Sequence, residues 1–336
     1  MSFSLDVLNK IREQASTEYQ ARIPEATRNN ITTIGNALAS YTPLFNEFCD
    51  ALINRIGLTL LEQATFENPL KHFKMGQLTT GQDVQEIFVS MAQAEGMYDP
   101  QGKNPMGRRT PAEVQTIYHR MNRQDKYVIS LGEADFARNF TSEATLDAFI
   151  AAQLNAIYAA DEFDEYELMK NLLGTYTFDG KSYFDYEVPE ITGTNNATAC
   201  KTFVKTLKKA VQDMTFMSDK YNAAGVKRRA KAGDFVLFIH KDMLPEIDVE
   251  VLMGAFNADK ANIKPTIVPV DDFGPMTGCY GLLVENGFFR VWDVKLQAEQ
   301  IRNPDGLFNN HFFHHWQIMS LSPFKNAVRF KAKASA

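Results

Sequence analysis

Residues 143–173, with the sequence EATLDAFIAAQLNAIYAADEFDEYELMKNLL, carry the strongest structural signal in this chain. Their apolar side chains recur every three or four residues, which is the spacing of one face of an α-helix. Thr141 or Ser142 can cap the start, Glu143 complements the helix dipole there, and Gly174 ends the pattern. At 1.5 Å per residue the segment makes a rod of roughly 45 Å, well above the usual helix length. The pattern therefore predicts one long helix that acts as a spine.

The segment before this helix predicts an extended arm. Apolar residues cluster at 84–89, and residues 114–118 and 127–131 look extended. Between them, residues 93–111 carry six glycines and prolines, too many for a helix or a ladder strand. The simplest interpretation is a long two-stranded excursion with a polar tip. Because an isolated two-stranded ribbon is marginal in water, we expect a neighbouring subunit to support it.

The remaining segments predict a mixed α+β protein. Residues 1–57 look like short helices joined by polar stretches, the last of them beginning at Thr42-Pro43 and ending at Gly57, and residues 58–66 look like a strand. In the second half, one helix is predicted through 203–214 and another that begins at Asp248. The predicted strands of that half are at 235–239, 267–270, 282–284 and 288–292, with returning strands in 307–330.

The bulk composition excludes several classes of protein. The chain has 336 residues, of which 45% are hydrophobic, so it can bury a stable core without disulfides or a structural metal. Its three widely spaced cysteines match neither a metal nor a disulfide pattern, which favours a reducing compartment. A net charge of −6 argues against a bulk electrostatic nucleic-acid binder, although a container for nucleic acid stays open. Neither a signal peptide nor a run of roughly 18 apolar residues is visible, so we expect synthesis in the cytoplasm and no membrane partner.

One histidine group is a candidate for chemistry. His311, His314 and His315 offer the commonest metal ligand, and a metal-dependent hydrolase that uses them is one alternative function. However, the helical zinc motif needs histidines at i and i+4 with a glutamate between them. Here the spacing is H-x-x-H-H, no carboxylate is near in sequence, and neighbouring strand residues point to opposite faces. We therefore favour histidines packed among the aromatic side chains of a sheet, and expect no metal, cofactor or catalytic residue.

Charged groups give a second alternative. Asp161, Asp164 and Glu165 lie one turn apart on one face of the long helix, which favours a solvated face or an acidic stripe opposite another subunit's basic residues. Cations at 227–231 and 325–333 could contact phosphate, as in a DNA-associated structural protein. No aromatic stacking pattern accompanies them, so a loop or an intersubunit contact is favoured. Since no nucleotide or nucleophile motif is present either, the chain looks like an assembly protein and not an enzyme.

Several strings share their order along the chain with one known family. They are FENPLKHFKMGQ at 66–77, YHRMNRQ at 118–124, NAIY at 155–158, DEYELMK at 164–170, DVEVLMGAFN at 248–257, RNP-x-GL at 302–307, HWQ at 315–317 and F-x-NAV at 324–328. In this succession the chain resembles the major capsid proteins of phi-29-like podophages, from about residue 20 to 330. Each string alone is modestly specific, and the ordered set is highly specific.

The resemblance implies the α+β Hong Kong 97-type capsid fold. In that fold, residues 1–66 would form an N-arm and the start of the peripheral (P) domain, and residues 67–140 an extended E-loop. Residues 141–194 would form the P domain with its spine helix at 143–173, and residues 195–304 a mainly axial (A) domain. Residues 305–336 would return to the P domain and end in a C-terminal tail. No C-terminal immunoglobulin-like domain is expected.

The resemblance also implies partners. Family members form pentamers and hexamers with a scaffolding protein, and the resulting icosahedral or prolate head takes in double-stranded DNA through a portal. We therefore expect self-association, a scaffolding protein, a portal or connector, non-specific contact with packaged DNA, and a final location in the virion. The expected intersubunit residues are cations that face carboxylates of adjoining subunits: Lys71, Lys74, Arg108 and Arg109 with Asp161, Asp164 and Glu165.

Overall fold

The computed structural model describes residues 3–41, 43–48, 51, 66–92, 100, 111–132, 143–190, 196–231, 233–243, 265–306 and 308–333. The helices are α1 (Phe3–Gln14), α2 (Thr17–Arg22), α3 (Ile31–Ser40), α4 (Glu143–Gly174) and α5 (Asn196–Thr215). The strands are β1 (Val84–Val89), β2 (Val114–His119), β3 (Arg123–Gly132), β4 (Phe184–Val188), β5 (Phe235–His240), β6 (Thr266–Val270), β7 (Cys279–Glu285), β8 (Phe289–Asn303), β9 (Phe308–Leu321) and β10 (Ala327–Ala332). Within these ranges, no helix has both the length and the apolar character that crossing a membrane requires.

The predicted spine helix is confirmed as α4, which has 32 residues and a length of about 48 Å. In its C-terminal half, Met169 and Leu173 are fully buried against the largest core. Gly174 ends the helix for a packing reason. A Cβ atom at this position would collide with the carbonyl oxygen of Phe273 and with the ring of Pro275. The end of the spine is therefore held closely against the turn that follows β6.

A five-stranded sheet with helices on both faces forms the second half of the protein. Its strand order is β4-β10-β7-β5-β6, with parallel pairs at both edges and antiparallel pairs in the middle. In β5, Val236 and Phe238 belong to the core shared with α4, whereas Phe235 and Leu237 belong to the core shared with α5. Because both faces are covered, the strand is a continuous apolar run, as the sequence predicted.

A three-stranded antiparallel sheet, β3-β9-β8, packs beside α4, and β1 pairs with β2 in a separate two-stranded ribbon. The extended conformations predicted at 114–118 and 127–131 are confirmed as β2 and β3. Helices α1 to α3 and residues 43–48 form a third core of their own around Ile11, Leu38 and Phe48. The described residues thus form three apolar cores, and the ribbon is a sheet separate from the other two.

The predicted arm, 67–140, has three different environments in its described part. Residues 66–78 pack on helix α4 and the two larger sheets, which we call the body. Leu70 is fully buried, and the amide groups of Met75 and Leu78 donate to carbonyl oxygens of β8. The ribbon follows, and then β3 lies in the three-stranded sheet. The predicted strand at 58–66, the helix beginning at Asp248 and most of the arm's tip lie outside the described residues. The division of the chain at 66, 140, 194 and 304 stays a prediction, and β8 and β9 pair across the last of these boundaries.

Candidate assembly site

Two residues of the predicted acidic face of α4, Asp161 and Glu165, are buried, which corrects the expectation that they are solvated, whereas Asp164 is exposed. Asp161, Glu162 and Glu165 are each less than a tenth exposed. The covering comes from the segment 66–78 and from strands β3 and β9, which carry the complementary cations and amides. We call this group the spine cluster, and its members are Asn68, Lys71, Lys74, Arg123, Asp161, Glu162, Glu165, Asp293, His315 and Gln317.

Lys74 joins helix α4 to strand β8 within the spine cluster. Its Nζ atom lies 3.0 Å from Glu165 Oε2 and 2.8 Å from Asp293 Oδ2. Burial alone would lower the pKa of Lys74, but the charges of Glu165 and Asp293 outweigh burial and raise it. The same contacts act in the opposite sense on Asp293: burial would raise its pKa, whereas bonds to His315, Lys74 and Gln317 hold it well below the usual range. The ammonium of Lys74 therefore stays charged where it lies between Glu165 and Asp293.

Arg123 makes the corresponding connection from strand β3. Its guanidinium donates to Asp161 Oδ1 at 2.8 Å and to Gln317 Oε1 at 2.6 Å, and the side chain is only 3% exposed. Burial would lower the pKa of Arg123, and the charge of Asp161 together with the bond to Asp125 raises it. Lys71 is more exposed and pairs with Glu162 at 2.6 Å. Asn68 completes the group, because its side-chain amide donates to Glu165 and its main-chain amide to Glu162.

His315 lies at the centre of the spine cluster. Its Nδ1 atom is 2.7 Å from Asp161 Oδ1 and its Nε2 atom 3.1 Å from Asp293 Oδ1. Burial would lower the pKa of His315, but the bonds to the two aspartates raise it. The sequence showed no carboxylate near this histidine, and the fold supplies two. Glu165, Asp293 and His315 also lie close enough to hold a cation, and the ammonium of Lys74 contacts the two carboxylates of that set.

The three histidines of the proposed metal site do not converge. Burial alternates along β9, so His311 and His315 share the buried face and His314 is on the other. His311 has no hydrogen-bond partner for either ring nitrogen in the described part of the chain, and burial lowers its pKa to about 4. The arrangement is that of two buried histidines with different surroundings, as expected for histidines packed in a sheet.

The predicted intersubunit residues that the structure describes have partners inside this chain. Lys71 and Lys74 pair with Glu162 and Glu165, although we expected them to face carboxylates of an adjoining subunit. The physical reason is that residues 66–78 pack on the chain's own helix. Asp164 is exposed and accepts a hydrogen bond from the Tyr127 hydroxyl at 2.8 Å. Arg108 and Arg109 lie outside the described residues, so their pairing with another subunit stays a prediction.

The ribbon has two chemically different faces. On the inner face, Glu86, Phe88 and His119 contact the body: Phe88 stacks on Phe324 with ring centres 5.7 Å apart, and Glu86 bonds to Arg290 at 2.6 Å. The base of the ribbon is therefore held by its own chain, which corrects the expectation that a neighbour provides all of its support. The outer face carries four apolar side chains that are each more than half exposed: Ile87 (54%), Val89 (56%), Val114 (54%) and Tyr118 (56%).

The candidate DNA-contacting cations divide into two groups. Arg228 and Lys325 both pair with Glu285, and Arg329 pairs with Asp185. Lys227, Arg229 and Lys231 are exposed, and no ion pair joins them to any described residue. Three of the eight cations at 227–231 and 325–333 therefore serve to tie the start of β10 to its surroundings.

A family model described as Phi29-like phage major capsid protein matches residues 8–331, which is nearly the whole chain. The chain belongs to this family of capsid proteins. It is 33% identical over 331 residues to the major capsid protein of Bacillus phage B103, covering 97% of this chain and 72% of that one. It is 29% identical to the major capsid protein of Streptococcus phage Cp-1, covering 96% and 93% respectively.

The structural comparison agrees with this assignment at the level of the fold. The capsid structure of Staphylococcus phage Andhra superposes with a TM-score of 0.64 at 12% identity, covering 82% of this chain and 86% of that chain. The α+β Hong Kong 97-type fold that the sequence implied is thereby confirmed. As a major capsid protein, the chain is a structural component of the phage virion and not an enzyme.

Sequence reasoning missed several members of the spine cluster, although a signal for most of them was present. Asn68, Arg123 and Gln317 were not predicted as site residues, yet they belong to the strings that carry the family resemblance. His315 and Glu165, which were predicted in other roles, belong to these strings too. The strings at 66–77, 118–124, 164–170 and 315–317 thus meet in one place in the fold. Asp293 belongs to none of them, and nothing in its local sequence marks it as the partner of Lys74 and His315.

Proposed function

We propose that this capsid protein assembles as pentamers and hexamers on a separate scaffolding protein. The resulting head, icosahedral or prolate, encloses double-stranded DNA that enters through a portal. The family implies these partners, and the ribbon supports the mode of self-association.

The exposed outer face of the ribbon is the observation that carries the proposal. Four apolar side chains more than half exposed on one side of a two-stranded ribbon are costly to leave in water. The inner face is already occupied by the chain's own body, through Glu86 and Phe88. A neighbouring subunit that covers the outer face would remove this apolar area from water, and the ribbon part of the E-loop would then lie across the neighbour's P domain.

Charged groups of the predicted arm and of the spine helix set the register of this contact. Arg108 and Arg109 face exposed carboxylates such as Asp164 on the adjoining subunit. A single exposed pair of this kind contributes at most about 1 kcal/mol. Repeated around a closed ring, such pairs determine orientation and curvature more than total stability.

Electron microscopy of the chain co-expressed with candidate scaffolding protein tests the proposal. We expect uniform closed shells from the intact chain. Deletion of residues 94–110, which removes the tip of the arm, should leave a soluble chain that forms no shells. A thermal unfolding transition unchanged by the deletion is the control for folding, and regular shells from the deleted chain would contradict the role of the arm.

Contact with packaged DNA is proposed to be non-specific and weak. Lys227, Arg229 and Lys231 are exposed, yet the chain as a whole carries a net charge of −6, so a dense basic surface is not available. Retention of DNA by the unassembled chain should therefore be slight at physiological salt. A strong retention that falls steeply with salt concentration would instead favour a dedicated DNA-associated protein.

A further inference from the structure

Glu86 lies in the middle of β1, and its carboxylate is the point at which the ribbon meets the body. One oxygen, Oε1, accepts hydrogen bonds from Arg290 at 2.6 Å and from the Ser322 hydroxyl at 2.8 Å. The other oxygen, Oε2, lies 3.1 Å from His119 Nε2. These partners come from β8, from the turn after β9 and from β2, so one side chain connects the ribbon to two separate parts of the body.

A second set of contacts surrounds the carboxylate. His119 uses its other ring nitrogen, Nδ1, to meet the Ser320 hydroxyl at 2.7 Å, and its side chain is only 2% exposed. Phe88, two residues beyond Glu86 on the same face, stacks on Phe324 in the turn after β9. Because these contacts restrain the ribbon in different directions, the inner face can hold only one orientation without breaking hydrogen bonds.

The charge of the carboxylate is maintained by its partners. Burial alone would raise the pKa of Glu86, but hydrogen bonds from His119, Arg290 and Ser322 lower it to about 2. Hydrogen bonds to an ionised acceptor are stronger than those between neutral groups. At neutral pH the ribbon is therefore anchored by a charged group that an amide of the same shape could not replace.

Small changes at this anchor are amplified along the ribbon. At the rise of a β-strand, Val89 at the end of β1 lies about 10 Å along the strand from Glu86, so a tilt of about 10° at the anchor would move it by about 2 Å. Hydrogen-bond lengths vary over only a few tenths of an ångström. A displacement of this size would take the outer face out of register with any surface that it meets.

We propose that Glu86 is the positioning residue of the ribbon: through Arg290, Ser322 and His119 it sets the angle at which the ribbon leaves the body, and hence the geometry of the contact between subunits. This inference rests on the proposed function, because it assigns a cause to the regularity of the shell. The ribbon would meet the adjoining subunit with its outer face, while Glu86 on the inner face would control the direction of approach.

Glu86→Gln tests the anchor in the full chain, because it keeps the shape and removes the charge. We expect amide hydrogen exchange in β1 and β2 of the unassembled protein to become at least tenfold faster, with exchange in β5 and β7 unchanged. In the presence of scaffolding protein, the variant should form shells of widely scattered diameter, or open sheets. Asp83→Asn is the matched control, because it removes the same charge from an exposed carboxylate near the ribbon base that pairs with exposed Arg120.

The outcomes separate the anchor from the rest of the proposal. If Glu86→Gln shells are as uniform as those of Asp83→Asn, Glu86 is not the positioning residue of the ribbon, whatever happens to thermal stability. If the unchanged chain forms no shells, the proposed function fails, and the exchange measurement still decides whether Glu86 holds the ribbon. Should Glu86→Gln fold poorly, Ser322→Ala removes one donor only, and unchanged ribbon exchange in that variant would count against the anchor.

Discussion

In both the spine cluster and the ribbon, charged side chains face the interior of the chain. Only the ribbon also has an exposed apolar face. In the spine cluster, four carboxylates and three cations are enclosed by the chain itself, so their geometry is complete in one subunit. In the ribbon, the charged and polar groups Glu86 and His119 also point inward, but the outer face is apolar and exposed. Buried charged pairs therefore stabilise the single subunit, whereas an exposed apolar surface indicates where another molecule binds.

The largest expected effect comes from breaking the spine cluster at Arg123. Arg123→Ala leaves Asp161 without its guanidinium partner in a buried site, which should lower the free energy of unfolding by about 3–5 kcal/mol. Arg120→Ala, three residues away, removes a side chain that is 74% exposed and should change it by about 0.5 kcal/mol or less. Urea unfolding of the unassembled chain measures both. Equal effects of the two substitutions would show that the cluster is not the stabilising element proposed.

Two histidines on the buried face of β9 should respond to pH in opposite directions. The folded pKa of His311 is about 4, below its unfolded value, so its contribution is present above pH 6.5 and is lost as the pH falls toward 4. The size of this loss is on the order of 3 kcal/mol. The folded pKa of His315 is raised, so its contribution is present below pH 6.5 and is lost as the pH rises through the folded value.

Titration of the imidazole proton signals by NMR checks this difference, with His311→Gln and His315→Gln variants to assign the signals. The expected order is His311 below the ordinary value of 6.5 and His315 above it. A reversed order would mean that Asp161 and Asp293 do not surround His315 in the folded chain.

Neighbouring residues on the two faces of the ribbon offer a matched pair. Phe88→Ala removes the stacking contact with Phe324 and should lower the free energy of unfolding by about 1–3 kcal/mol, less than for a fully buried phenylalanine. Ile87→Ala should change it by about 0.5 kcal/mol or less, because its side chain is already 54% exposed. In shell assembly we expect Ile87→Ala to reduce the yield nonetheless. Full yield from Ile87→Ala combined with Val89→Ala would show that the outer face meets nothing.

The smallest expected effect distinguishes the rim of the spine cluster from its centre. Lys71→Met removes a pair in which the cation is 35% exposed, and Asn68 still donates to Glu162, so the loss should be about 1 kcal/mol or less. Lys74→Met leaves Glu165 and Asp293 without the ammonium between them and should cost several times more. Chemical denaturation of the two variants, with the unchanged chain alongside, gives the ratio.

Local periodicity was enough to predict much of the fold. The spine helix and the strands β2, β3 and β5 follow from the spacing of apolar residues over a few turns or pleats, since each element must turn one or both faces to a core. The same spacing placed His314 and His315 on opposite faces of a strand. The burial of Asp161 and Glu165 could not be predicted in this way. Helical spacing shows which side chains share a face, and it contains nothing about what covers that face.

Apolar spacing alone was enough to predict the spine helix and the strands β2, β3 and β5, and the ordered strings were enough to indicate the family. The spacing gave only a part of β8, predicted at 288–292 and observed at Phe289–Asn303. Only the tertiary structure decided how the charged residues are used. Arg123 meets Asp161, and Lys74 meets Asp293, across long separations in the chain, because three strands and a helix bring them together. The same non-local packing decides which face of the ribbon is covered: Glu86 finds Arg290 only once β8 is in place, and that leaves the apolar face outward.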